Sequence, residues 1–152
     1  MRQAFIHRER PDSEHIKTIR NWEQHELVTD NDLYKKPCGG IWTSPVTADY
    51  GWKQFCQDNE WYDDLNAYHL IPEDDVNVYT LDTVDDLSNL IEEHGREGID
   101  CIDFESAFTE YDGIYLSDEG ETNTRHSTPN LRGWDVASVV WDDWHFEEVR
   151  KV

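Results

Sequence analysis

The stretch KPCGGIWTSP, Lys36 to Pro45, decides how this chain is read. Two glycines stand against a tryptophan, a Thr-Ser pair and a second proline. One reading is a strand, Ile41 to Thr43, entered through the glycines. The other is backbone left bare so that a ligand can approach closely. Thr43, Ser44 and Pro45 fit both, as a strand end with a turn signal or as the polar edge of a pocket.

Downstream, Ala48, Trp52, Phe55 and Cys56 recur at helical spacing, which predicts an amphipathic helix over 48–59 capped by Thr47. NAYHLI (Asn66–Ile71) and VNVYTL (Val76–Leu81) read as strands, and the intervening PEDD predicts an antiparallel hairpin. Thr83, with Asp86 three residues on, precedes Val84, Leu87, Leu90 and Ile91 at helical spacing, and Gly95 stands at the C-terminal cap. Asp103 caps a third helix whose Phe104, Ala107, Phe108 and Tyr111 share a face. Asp112-Gly113 then breaks into a strand, Ile114–Ser117. Residues 118–132 are polar and aperiodic and read as a long surface loop. Val136–Trp141 reads as a strand.

Upstream, Gln3–His7 forms a short strand. Residues 8–36 are charged and poorly periodic, with helical character in SEHIKTIRNWEQHEL. There is no repeat and no linker, so the expectation is a single domain over 1–152. Strands and helices alternate without a βαβ rhythm. The expected class is α+β, mostly antiparallel strands with about three amphipathic helices.

Composition narrows the function. Against 34 Asp+Glu stand 13 Lys+Arg, a formal charge of −21. Hydrophobic content is 37%, yet seven Trp, seven Tyr and five Phe mark a folded chain rather than a disordered one. Carboxylates spread along the whole length repel one another until salt shortens the Debye length, which suggests a halophile or its virus. The rival is an acidic mimic of nucleic acid. Direct nucleic-acid binding is not expected, because the sequence offers no basic patch to displace counterions. Cys38, Cys56 and Cys101 form no C-x-x-C pair and read as buried reduced thiols. Without a signal peptide or an apolar run of membrane-spanning length, the expectation is a cytoplasmic protein, in a host cell or a virion if viral.

No G-x-G-x-x-G, Walker loop, G-x-S-x-G or H-E-x-x-H occurs. The histidines are scattered, and no metal is expected. What remains are polar residues on strands. His7 ends the first, as a structural histidine or a ligand-binding one. Thr43 and Ser44 end the glycine-led strand. Asp135 opens the last, as a turn residue or a carboxylate at the mouth of a cleft, sharing a face with Ala137, Val139 and Trp141. Trp42, Trp52, Trp61 and Trp134 are core or cleft lining.

The order FIH, GGIWTSP with a W-x-x-F-C helix, EYDGIYL and GWDVASVVW resembles a group of small phage and microbial proteins of the ADP-ribosyltransferase fold. The resemblance implies NAD as cofactor, with His7 on a ribose and Gly40, Trp42, Thr43 and Ser44 around the nicotinamide. It also implies a late-strand carboxylate, Asp135, to stabilise the oxocarbenium-like state. Where those enzymes carry glutamate before SVVW, this chain has Ala137. Two functions therefore stand: a non-catalytic acidic interaction protein with a protein partner (accessory or virion component), or an active NAD-dependent mono-ADP-ribosyltransferase.

Overall fold

The computed structural model describes residues 1–7, 10–13, 40–60, 65–96 and 98–152. In chain order these form β1 (Gln3–His7), β2 (Ile41–Pro45), α1 (Trp52–Asp58), β3 (Asn66–Pro72), β4 (Val78–Leu81) and α2 (Val84–His94). There follow β5 (Gly95–Arg96), β6 (Ile99–Ile102), α3 (Phe104–Ala107), β7 (Gly113–Leu116), α4 (Asp118–Thr124), a 3-10 turn (Arg132–Trp134), β8 (Ser138–Trp141) and β9 (Phe146–Lys151).

Seven strands make one sheet in the order β4-β7-β8-β2-β1-β3-β9, while β5 and β6 pair separately. Every pairing is antiparallel except β4 with β7. The α+β class expected from the sequence is what forms. β1 and β9, from the two ends of the chain, flank β3 in the same sheet.

Alternation along the strands sorts the core into two layers. On one face Leu81, Ile114, Leu116 and Val140 pack with Leu87 and Leu90 of α2, Phe104 and Ala107 of α3, and Trp134. On the other, Phe5, Ile41, Tyr68, Leu70, Val139, Trp141 and Phe146 pack together. β8 contributes to both and is buried along its whole length. Each fully buried leucine or valine here contributes about 1.5–3 kcal/mol.

The helices begin where the chemistry of their caps allows. Thr83 Oγ1 accepts the amide of Asp86 at 3.1 Å, and the Asp86 carboxylate accepts the amide of Thr83 at 2.9 Å. Asp103 likewise accepts the amide of Ser106 at 3.2 Å and starts α3. Gly95 follows α2 as expected, but its φ of −92° is extended rather than left-handed. It is glycine because a Cβ there would lie 2.3 Å from the carbonyl oxygen of Ile91.

Several expectations are corrected. The first helix starts at Trp52, not Ala48, and Gly51 rather than Thr47 is its N-cap. The side chain that receives the Trp52 amide is Ser44, from β2. The hairpin expected from PEDD does not form. β3 already carries β1 and β9 on its two edges, so β4 pairs with β7 at the opposite end of the sheet. The loop expected over 118–132 contains α4, whose sequence DEGETNT has no apolar stripe. It docks instead through two small buried residues, Gly120 and Thr124. Asp135 does not open the strand expected over Val136–Trp141, which begins at Ser138 as β8 and is followed by a further strand, β9.

Cys56 and Cys101 are buried. Cys38, Trp61 and, apart from Ser13, the SEHIKTIRNWEQHEL stretch in which helical character was expected lie outside the described residues. Among those described, no helix is long and apolar enough to cross a membrane.

Candidate functional site

The six residues singled out from the sequence take clear positions. Thr43 is buried in β2. Its hydroxyl donates to Gln3 Oε1 at 2.8 Å and accepts the indole N–H of Trp141 at 2.8 Å. Ser44 is buried beside it on the opposite face. Its hydroxyl donates to the carbonyl of Ala137 at 2.7 Å and accepts the amide of Trp52 at 2.9 Å. Gly40 enters the strand with φ +81°, a left-handed conformation that favours glycine. Trp42 is half-buried, its ring edge-on to Trp134 with centroids 5.0 Å apart. His7 stacks on Phe5 at 5.6 Å. Asp135 is exposed on the turn before β8, at φ +68°.

His7, Thr43 and Asp135 are not brought together. The register Ala4↔Ser44 sets Phe5 level with Thr43, and Thr43 pairs with Val139. His7 thus lies two positions from that level toward one end of the sheet. Asp135 precedes Val139 by four residues toward the other. β1 and β8 each run antiparallel to β2, so the two residues lie toward opposite ends of the sheet.

What does converge on the end of β2 is a cleft the sequence did not announce. A cavity of about 130 Å³ opens between α1 and the sheet. Ala4 of β1, Ser44 and Pro45 of β2, and Val46 line it. Lys53 and Gln54 of α1 and His69 of β3 complete its lining. α1 sits close because Gly51 passes over Ser44, where a Cβ would be 2.7 Å from that of Ser44. Burial, with the charges of Arg2, Lys53 and Arg150, holds His69 below its ordinary pKa. Positions 2, 53, 69 and 150 share no sequence signal. The pairings Ala4↔His69 and His69↔Arg150 are what gather them.

Two histidine–carboxylate clusters lie elsewhere. At the C-terminus of α2, His94 Nε2 is 2.7 Å from Glu110 and Nδ1 is 3.0 Å from Ser106 Oγ. These bonds tie α2 to α3 and leave neither ring nitrogen open. At the far end of the sheet, His145 Nε2 donates to Asp142 at 2.7 Å, with Asp112 at 3.8 Å. The hydrogen bond to Asp142 pushes His145 above its ordinary pKa, against the effect of burial, with the charges of Asp142, Asp112 and Asp143 adding. Asp112, Asp142 and His145 present ligand atoms within 4.8 Å of one another, as do Glu93, His94 and Glu110. The Asp112, Asp142 and His145 trio has a donor set a divalent cation accepts. The i, i+3 spacing of Asp142 and His145 in WDDWH was the available sequence signal.

Comparison with family models, curated proteins and solved structures finds no match to this chain.

Proposed function

We propose that the chain is a non-catalytic acidic interaction protein of a halophile or its virus, built on a domain resembling the ADP-ribosyltransferase fold, with a protein as its partner. The observation that carries this is the commitment of both hydroxyls an NAD pocket would use. Thr43 bonds Gln3 and Trp141, and Ser44 bonds Ala137 and Trp52. Turning either hydroxyl toward a nicotinamide would orphan buried groups at about 1–3 kcal/mol each.

The charge distribution supports the salt-adapted part of the proposal. No Asp or Glu is among the buried residues described. Carboxylates instead occupy the Glu73–Asp75 turn, α2, α4 and β9. A nucleic-acid mimic would need them on one face. Large exposed hydrophobics among the described residues are Met1, Val46, Tyr50 and Val152. Such a sparse set suits a polar contact with a partner better than the broad apolar interface of a capsid subunit.

The test is incubation with labelled NAD in molar KCl. Neither nicotinamide release nor label transfer is expected. Turnover abolished by Asp135→Ala would overturn the proposal in favour of mono-ADP-ribosyltransfer. A partner captured at molar KCl should rebind as a purified protein with saturable affinity.

A further inference from the structure

The cleft beneath α1 stands apart from the rest of this surface. In a chain with 34 Asp+Glu against 13 Lys+Arg, its lining holds one lysine, one histidine and no carboxylate. Strand alternation explains the concentration of positive charge. Ala4, Ser44, His69 and Arg150 are linked by direct cross-strand pairs, so all four face the α1 side. Arg2 precedes Ala4 by two residues and continues the ladder, its carbonyl accepting the amide of Val46 at 3.0 Å. It belongs to the same face.

We propose that this cleft is a binding site for a small oxyanion, a phosphate group, held by Lys53 and His69. Size limits the ligand. About 130 Å³ holds roughly four waters at their liquid volume, enough for one tetrahedral oxyanion. Whole-nucleotide or drug-sized ligands need about 300 Å³ or more. Lys53 supplies a flexible ammonium, while the small side chains of Ala4 and Ser44 leave room for the anion's oxygens.

The electrostatics run the same way. With the cleft empty, His69 resists protonation because burial and three neighbouring cations oppose a further charge. A bound anion reverses the sign of that field, so His69 takes up a proton and donates a charge-assisted hydrogen bond. Glu148 moderates the field from one side, since it pairs with Arg150 at 2.9 Å through Nη2 and feels Arg2 as well. Carboxylates elsewhere repel anions from the surface at large. The cleft is therefore a local exception that only an anion small enough to enter can use. This inference is independent of the interaction-protein proposal, and neither falls with the other.

The experiment follows the imidazole nitrogens of His69 by NMR in the full chain, with inorganic phosphate titrated against KCl at fixed ionic strength. A saturable shift is expected, with the titration midpoint of His69 raised in phosphate while that of His145 stays put. Lys53→Gln should weaken phosphate by about tenfold or more, and Lys53→Arg should retain it. His69→Gln should remove the pH dependence of the affinity. Methyl phosphate binding as well as inorganic phosphate would identify a phosphate group carried on a larger molecule, and inorganic phosphate alone would identify the free ion. The proposal is overturned if KCl or acetate reproduces the His69 shift, or if Lys53→Gln binds phosphate like the parent.

Discussion

The hydroxyl of Ser44 lies 2.7 Å from the carbonyl oxygen of Ala137, joining β2 to the residue just before β8 across 93 positions of sequence. The Ser44 hydroxyl oxygen also receives the Trp52 amide that begins α1. One serine thus sets where a strand ends, where a helix begins and how the turn carrying Asp135 is anchored. Ala137 is 1% exposed, so the position where a catalytic glutamate would be sought is packed shut.

Ser44→Ala should therefore act on stability. It orphans the Trp52 amide and removes the bond to Ala137, at a cost of about 1–3 kcal/mol. Chemical denaturation in molar KCl measures this directly. A variant as stable as the parent would show that α1 is held by other contacts.

Gly120→Ala is expected to be worse. The added Cβ would lie 1.8 Å from the carbonyl oxygen of Leu81, a backbone atom with no rotamer to change. The only relief is to lift α4 off the sheet, for a loss of about 2–4 kcal/mol. Hydrogen exchange should show the opening confined to α4 and its neighbours β4 and β7.

The two shifted histidines make opposite pH signatures. His145, raised by Asp142, contributes stability that is full below its unfolded value of 6.5 and is lost as pH rises through its folded value. His69, lowered by burial and by its cationic neighbours, contributes stability present above 6.5 and lost as pH falls below it. Asp142→Asn should flatten only the alkaline limb of a plot of denaturation midpoint against pH. Flattening of the acid limb instead would contradict the assignment.

Stability should climb steeply with KCl, because a net charge of −21 repels itself most when the Debye length is long. Neutralising the exposed Glu73, Asp74 and Asp75 to Gln and Asn should lower the KCl concentration at which the chain is half folded. Thermal unfolding across a salt series reads the shift. An unchanged midpoint would mean that this turn carries no share of the repulsion.

Asp103→Ala removes the side chain that accepts the Ser106 amide and should cost α3 about 1 kcal/mol. Because His94 reaches Ser106 from α2, the loss should also loosen the C-terminus of α2. Amide exchange at His94 checks it.

Several local signals formed as read, though the Ala48 start and Thr47 cap did not. Val84, Leu87, Leu90 and Ile91 announce α2, Thr83 and Asp103 announce their caps, and the Val139-Val140-Trp141 run announces β8, because each signal is a matter of a few neighbouring residues. Where the signal was not local, expectation and structure parted. PEDD has the composition of a hairpin turn, but the strands around it found other partners. DEGETNT has no apolar period, yet Ser117 caps it and Gly120 docks it. Trp52 begins a helix because a serine eight residues earlier reaches its amide.

The sequence by itself determined the class of the fold and the acidic character of its surface, since these follow from composition, periodicity and short-range caps. The KPCGGIWTSP segment was legible as a strand entered through glycine. Only the tertiary structure decided what its polar end does. Strand register buries the Thr43 hydroxyl against Gln3 and Trp141 and sets Asp135 far from His7. It also brings Arg2, Lys53 and Arg150, from positions scattered along an acidic chain, near His69. Cross-strand pairing is a choice among distant partners, and no window of neighbouring residues contains it.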